Sequence, residues 1–412
     1  MAKIAVLGHG VVGSGVAELL QMNHDSIAGK AGENIEIKKI LDLRDFEGLP
    51  YSDKFTKSFD EILEDSEISV VVEVMGGLHP AYDYVKASLC RGKSVVTSNK
   101  ELVAEKGAEL LQVAKDNNVN FFFEASVGGG IPIIRPMHMC LAANQISEIA
   151  GILNGTTNFI LTRMIHDQMP FDEALKLAQE LGYAERNPAA DIEGMDACRK
   201  ICILASLAFG RHVYPKFVYT EGITKVTLED IAYAENWGGV VKLIVCAKQL
   251  DDGNLFVLVS PALIEKSSQL ASIEDVFNGI LVRGDATGDV VFYGKGAGKL
   301  PTASAVVADV IDVVKAPATS ASLSWVDSAE NYVADHKEMP LKFYLRCEAE
   351  DPAAVKNALM DRFGCVQYLA RSGMPASELG FVLGPVSEKE LEHALAQVEG
   401  LKVLSKIRIM NY

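Results

Sequence analysis

The sequence contains no Cys-x-x-Cys pair, no apolar run of the ~18 residues that a membrane helix needs, and too little positive charge to balance its acids. Its seven cysteines (90, 140, 198, 202, 246, 347 and 365) are scattered and odd in number. Cys198 and Cys202 fall four apart on an expected helix without a neighbouring histidine, which reads as helix packing and not as a zinc site. The 39 basic residues against 55 acidic ones leave a formal charge of −16. That excess argues against nonspecific binding to nucleic acid or an anionic membrane, both of which need basic patches. An anionic cofactor held locally by backbone N–H groups stays open. The opening residues read as a strand and not as a signal peptide, so a reducing cytoplasm is the expected location. At 412 residues, 49% of them apolar and 23% charged, the chain is expected to be globular with two or three domains.

The richest segment is 178–200. It places Glu185, Asp191, Asp196 and Lys200 on a turn-rich stretch that enters an apolar helix. Asp196 and Lys200 are four apart and share a helical face. Carboxylates around a lysine are expected to raise its pKa and keep it protonated, fit to act as a general acid toward a carbonyl oxygen. The plain alternative is a solvated helix start with an ordinary ion pair. The order of residues resembles homoserine dehydrogenase at Ala178, Gly182, Tyr183, Ala184, Asn187, Pro188, Asp191, Ile192, Gly194, Asp196 and Lys200. The resemblance implies hydride transfer between NAD(P)H and aspartate semialdehyde, giving homoserine, in threonine, methionine and isoleucine biosynthesis.

At the N-terminus, residues 3–8 form an apolar strand that runs into Gly8-His9-Gly10-Val11-Val12-Gly13 and then a helical pattern. In that setting the glycine spacing is a dinucleotide fingerprint. Gly8 permits the tight turn, Gly10 lets a pyrophosphate approach, and Gly13 lets the helix, whose N-terminus attracts anions, pack on the strand. After a polar loop over 22–34, a second strand, 35–43, ends beside Asp42, Arg44 and Asp45. An acid there would bond the ribose of NAD, and an arginine would accept the phosphate of NADP. Arg44, just past the strand, favours NADP(H) over NAD(H). Strands at 69–74, 94–97 and 119–124 alternate with helices at 80–91 and 101–117, which predicts a doubly wound parallel sheet. Ligands bind such sheets at the C-terminal strand ends, where Met75–Gly77, Thr97, Lys100 and Glu124–Gly130 fall. Lys100 is either a surface lysine or a second lysine of the cleft. The resemblance implies the second, facing cofactor and substrate.

Residues 124–132 form a glycine-rich loop whose carbonyls suit a hard cation, although a hinge between domains explains it as well. The resemblance implies a structural Na+ held by the carbonyls of Glu124, Val127, Gly129 and Ile131. Farther on, a strand (146–153) leads to Asn154-Gly-Thr-Thr-Asn158, an N-cap for the helix after it. Strand-like runs at 240–250, 255–259, 279–283 and 289–293 predict an α+β substrate domain on an antiparallel sheet, a common dimer surface. The glycine turn 293–304 precedes a helix expected over 304–315. The resemblance places Gly298 by the cofactor and returns this helix to the first domain.

Residues 341–412 read as β-α-β-β-α-β, a ferredoxin-like unit. It resembles the ACT-type regulatory domains found at the end of many homoserine dehydrogenases. Ala353 stands where ligand-binding members usually have glycine, which favours assembly over amino-acid sensing. The expected layout is a Rossmann domain over 1–133 with 301–316, a substrate and dimerisation domain over 134–300, a linker over 317–339 that tolerates a cut, and the ACT-like unit over 340–412. The site is expected to use Lys200 as acid with Lys100 opposite. Glu185 would meet the substrate ammonium, Asp191 and Asp196 would orient it, and Gly182 and Tyr183 would line it. Gly8, Gly10, Val11, Val12, Gly13, Arg44, Thr97, Lys100 and Gly298 would hold the cofactor. A homodimer or homotetramer with a threonine-like effector completes the expectation. Two other functions stay open: a dehydrogenase of another amino acid or semialdehyde, and a non-enzymatic dinucleotide sensor.

Overall fold

The computed structural model describes residues 1–315, 323–328 and 330–412. Six parallel strands form the first sheet: β1 (Ala2–Leu7), β2 (Ile35–Leu41), β3 (Phe55–Thr56), β4 (Ile68–Glu73), β5 (Ser94–Thr97) and β6 (Phe121–Phe122). Their spatial order is β3-β2-β1-β4-β5-β6. Strand order reverses between β1 and β4, which opens a crevice above their C-terminal ends. Ile4 and Val6 of β1 face the helices Val11–Met22 and Lys299–Lys315, whereas Ala5 and Leu7 face Ala81–Cys90 and Lys100–Asp116. Burial on both faces is why β4 is nearly continuous in apolar residues.

Several boundaries differ from the expectation. The polar loop at 22–34 contains a helix, His24–Ala31, which buries only Ile27 and Ala31 and stops at left-handed Gly32. With two apolar positions one turn apart, it shows almost no periodicity. The second strand ends at Leu41, and the strand expected over 119–124 shrinks to Phe121–Phe122 before a 3-10 turn at Glu124–Ser126. The returning helix starts at Lys299, not at 304. Pro301 is tolerated in its first turn because no intrahelical donor is needed there.

The second sheet contains β7 (Ile146–Ile152), β8 (Tyr219–Thr220), β9 (Gly239–Gln249), β10 (Leu255–Glu265), β11 (Phe277–Gly284), β12 (Gly288–Lys295), β13 (Pro340–Ala349), β14 (Val366–Leu369), β15 (Glu378–Ser387) and β16 (Leu401–Ile409). The order is β12-β11-β7-β9-β10-β16-β13-β15-β14, with β8 also on β10. The last four strands, with the helices Pro352–Phe363 and Glu388–Leu395, have β-α-β-β-α-β connectivity. They are joined to the middle sheet through β10 and β16, which pair in parallel at Ala262 with Arg408 and Leu263 with Ile409.

The expected linker does not behave as one where it is described; residues 316–322 and 329 lie outside the described residues. Leu323, Trp325, Tyr332 and Val333 are buried. Trp325 packs on Phe123, and its indole N–H donates to His212 Nδ1 at 2.9 Å. A methyl group on Gly107 would come within 2.6 Å of the Trp325 ring. Averaged over 23 positions the composition is polar, and a few anchoring side chains are lost in the average.

Trp325→Ala is expected to lower unfolding free energy by about 3–5 kcal/mol, the usual cost of deleting a buried indole. A fall in the urea midpoint would register it. An unchanged midpoint would place this segment outside the cooperative core.

Candidate active site

The glycine turn divides its tasks as the spacing implies. Gly8 has φ +98, and a Cβ there would meet Met75 at 3.0 Å. A Cβ on Gly13 would lie 2.0 Å from the Gly8 carbonyl oxygen, so only glycine lets this helix sit on β1. Above Gly10 there is open space. The helix Val11–Met22 carries no side-chain N-cap, which leaves its first N–H groups for an anion. A cavity of about 390 Å3 adjoins the turn, with Gly8, Gly10, Asp42, Arg44, Lys57 and Met75 on its wall.

Asp42 is already engaged at this wall. It accepts from His9 N at 2.8 Å, from Arg44 N at 3.0 Å, and from Arg44 Nε and Nη2 at 3.0 and 2.9 Å. The Arg44 guanidinium beside it holds its carboxyl well below the usual carboxylate range. Lys57, which sequence reading passed over in a polar stretch without a motif, pairs with Asp45 at 2.7 Å. His9 was likewise missed. Its ring meets Phe46, Tyr51 and Phe55 edge-on and is buried, and burial lowers its pKa.

The ends of β4 and β5 are tied by a buried acid that no motif announced. Glu73 Oε2 accepts from Thr97 Oγ1 at 2.6 Å, and Glu73 Oε1 accepts from Met75 N at 2.8 Å. Burial pushes the Glu73 carboxyl up. Thr97 also accepts from Asn99 N at 2.9 Å, so its hydroxyl faces this network and not the crevice. Asn99 caps the helix Lys100–Asp116 and donates to Gly77 O at 2.6 Å.

Lys100 begins that helix, where a cation needs a compensating anion. The anion comes from the middle domain: Lys100 Nζ lies 2.7 Å from Asp196 Oδ1. The other oxygen, Asp196 Oδ2, accepts from Lys200 Nζ at 2.7 Å and from Asn154 Nδ2 at 2.9 Å. Lys200 also donates to Leu153 O at 2.8 Å. An ammonium has three N–H groups, so among the described residues one of Lys200 has no partner. Asn154 reaches Asp191 Oδ1 as well, at 2.7 Å, while its own carbonyl oxygen caps the helix Gly155–His166. A second pair, Arg199 with Glu101 at 2.8 Å, crosses the same cleft.

The charges differ from the expectation in one respect. Burial lowers the pKa of Lys200 and outweighs the attraction of Asp196. Lys100 is the lysine whose pKa rises, through Asp196. Burial opposes ionisation of Asp196, but the two ammonium groups win and hold it low. Asp191 is pushed up, first by burial and then by Asp196.

Gly182, Tyr183 and Glu185 lie on an exposed turn. Gly182 has φ +76 and ends the helix Phe171–Glu180. Thr156 Oγ1 donates to Tyr183 O at 2.6 Å, which ties this turn to the Asn154 helix. The Glu185 backbone carbonyl accepts from Gln179 Nε2 at 3.1 Å, and its carboxylate takes no part in the Lys100–Asp196–Lys200 chain. Gly298, at φ +130, precedes the returning helix, where Lys299 pairs with Glu18 at 2.6 Å. Glu124 turns its carboxylate onto Ile133 N, Ile134 N and Arg135 N at 2.6–2.9 Å. Val127, Gly129 and Ile131 are buried, and among the described residues no backbone N–H donates to their carbonyl oxygens. Among those residues there is also no cluster of three His, Cys, Asp or Glu suited to a metal, and no helix long and apolar enough to cross a membrane.

Residues 132–311 match the family model described as homoserine dehydrogenase, and residues 8–124 match that of the homoserine dehydrogenase NAD binding domain. The chain is 40% identical to a homoserine dehydrogenase of Synechocystis, with 98% of each covered. It is 42% identical to one of Bacillus subtilis, over 76% of this chain and 73% of the relative. A homoserine dehydrogenase structure from Thiobacillus denitrificans superposes with TM-score 0.89 at 36% identity, covering 100% of this chain and 98% of the other. A hyperthermophilic archaeal homoserine dehydrogenase mutant in complex with NADPH gives TM-score 0.65 at 29% identity, covering 77% of this chain and 99% of its own.

Asp196→Asn removes the charge that raises the pKa of Lys100. Asp196 also props up the pKa of buried Lys200, so both lysines then lose their protons at lower pH, Lys200 first. The alkaline limb of kcat/KM is expected to move down by about one to three pH units, the usual effect of one nearby opposite charge. An unmoved limb would assign that titration to another group.

Proposed function

The chain belongs to the homoserine dehydrogenase family, and from that premise we propose how its own residues carry the NAD(P)H-dependent, reversible reduction of L-aspartate 4-semialdehyde to L-homoserine. The bound dinucleotide supplies the hydride. Lys200 donates its remaining N–H to the aldehyde oxygen and gives up a proton as negative charge develops there, a general-acid role. A buried lysine with a lowered pKa is a better donor than a free one. Lys100 stays charged beside Asp196 and holds substrate and cofactor from the opposite wall. Asp191 and Asp196, braced by Asn154, orient the substrate end. Glu185 offers its carboxylate to the substrate ammonium, with Gly182 and Tyr183 shaping that turn. The observation that carries this reading is the Lys100–Asp196–Lys200 chain across the cleft.

For the cofactor, Arg44 and Lys57 on one cavity wall favour the 2′-phosphate of NADP(H). Asp42 is occupied by Arg44 and is less free to accept from a ribose hydroxyl. The buried carbonyls of Val127, Gly129 and Ile131, with that of Glu124, suit a structural Na+. The C-terminal unit is read as ACT-like and mainly as an assembly element, in a homodimer or homotetramer. At its first strand-to-helix turn Asp351 already accepts from Ala353 N and Ala354 N at 3.0 and 3.1 Å, which leaves little for threonine.

Two variants test this. Lys200→Ala should cut kcat by roughly two to four orders of magnitude in the NADPH absorbance assay with aspartate semialdehyde, while NADPH still binds. Turnover within a few-fold of the parent would remove Lys200 as the acid. Arg44→Ala should weaken NADP more than NAD, shifting the affinity ratio by on the order of tenfold, since a charge-assisted hydrogen bond is worth about 1.5–3 kcal/mol. Equal losses would assign Arg44 to the surface.

A further inference from the structure

The segment that bears Asp191, Asp196 and Lys200 rests on a short stretch after β8. A Cβ on Gly222 would lie 2.0 Å from Ile192 O and 2.4 Å from Glu193 Cα, so the two backbones touch. Ile223 N donates to Ile192 O at 2.9 Å. From the other side, a Cβ on Gly194 would meet Thr220 Cγ2 at 3.0 Å and Glu221 O at 3.5 Å. The turn 192–194 is thus seated directly on 220–223.

Glu221, in the middle of that seat, is held by the C-terminal unit. Arg408 on β16 donates from Nη1 to Glu221 Oε2 at 2.8 Å. Its Nη2 and Nε donate to Glu388 Oε2 at 2.7 and 3.2 Å. Its guanidinium lies 5.0 Å from the Tyr219 ring centroid. Arg408 is 2% exposed, and Lys406 adds a 2.6 Å contact to Glu388. A buried arginine held through two N–H groups on one carboxylate oxygen is stiff, and whatever its free arm grips is fixed to the same frame.

We propose that Arg408 and Glu221 are positioning residues for the substrate site. The Arg408 fork, locked on Glu388, fixes Glu221. Glu221 fixes the 220–223 stretch, and that stretch sets the height of the Asp191–Asp196 turn above the cleft. The inference rests on the assignment of Asp191, Asp196 and Lys200 to the substrate. It places part of the substrate site's rigidity in the last strand of the chain, and the cofactor groove lies outside this path.

The test uses the full-length enzyme. Arg408→Ala strands a buried Glu388 and risks misfolding, so Glu221→Gln and Arg408→Lys are the informative variants, singly and together. KM for aspartate semialdehyde should rise roughly ten- to a hundredfold in each, the scale at which small misplacements act. The NADPH Kd should be unchanged and thermal melting nearly so. The double variant should be no worse than the poorer single, because both break one contact. Glu221→Asp should recover part of the loss. A KM within twofold of the parent, additive effects, or a parallel loss of NADPH affinity would overturn the proposal. Lys200→Ala measured alongside separates the two readings. If it is inactive while Glu221→Gln has a normal KM, the positioning path fails and the active-site assignment stands. If it remains active, the assignment itself fails.

Discussion

One carboxylate holds the two halves of this molecule's cleft in register. Asp196 is buried, and a buried carboxylate without partners would not stay ionised. It stays ionised because one oxygen meets Lys100 from the parallel-sheet domain and the other meets Lys200 and Asn154 from its own. Neither lysine is well placed without it. Lys100 sits at the positive end of a helix, and Lys200 sits in an apolar helix core. The charge states of both lysines depend on this residue, and the Arg199–Glu101 pair shares the task of joining the two walls.

What the sequence disclosed follows the range of the interactions. Gly8, Gly10 and Gly13 were readable because strand, turn and helix are made by neighbours along the chain. The 182–200 segment was readable because several residues of the cleft are close together in it. The bond from Lys100 to Asp196 spans ninety-six positions and leaves no spacing to recognise. Glu73 looked like the polar end of an apolar run, although it ties Thr97, Met75 and Gly76 together. The pKa of Lys200 was misjudged in direction because its neighbours were visible but its burial was not. Likewise, the polar average over 317–339 concealed Trp325.

The C-terminal unit is attached by more than its pairing with the middle sheet. One face of β13 packs on the unit's own helices through Phe343, Leu345 and Cys347. The other places Tyr344 and Arg346 against the helix Leu228–Trp237, where both donate to buried Asp230, at 3.1 Å in each case. An archaeal relative whose chain matches only 77% of this one forms the same core fold. In this chain the added unit is packed into that core and not merely tethered to it.

The union of β10 with β16 also affects the behaviour of the molecule among its neighbours. A sheet edge is a row of unpaired backbone donors and acceptors that invites another strand. Two separate open sheets would present four such rows here; the junction covers part of two of these and leaves two outer edges. One of them, β14, is four residues long. In the parallel sheet, the edge strands β3 and β6 have two residues each. Among the described residues the longer open rows are β12, with eight residues and Asp289, bound to Arg283, near its start, and β16 before Arg408, where no pair with β10 forms. The architecture that braces the active site thereby leaves a crowded solution few places to start an unwanted β-association.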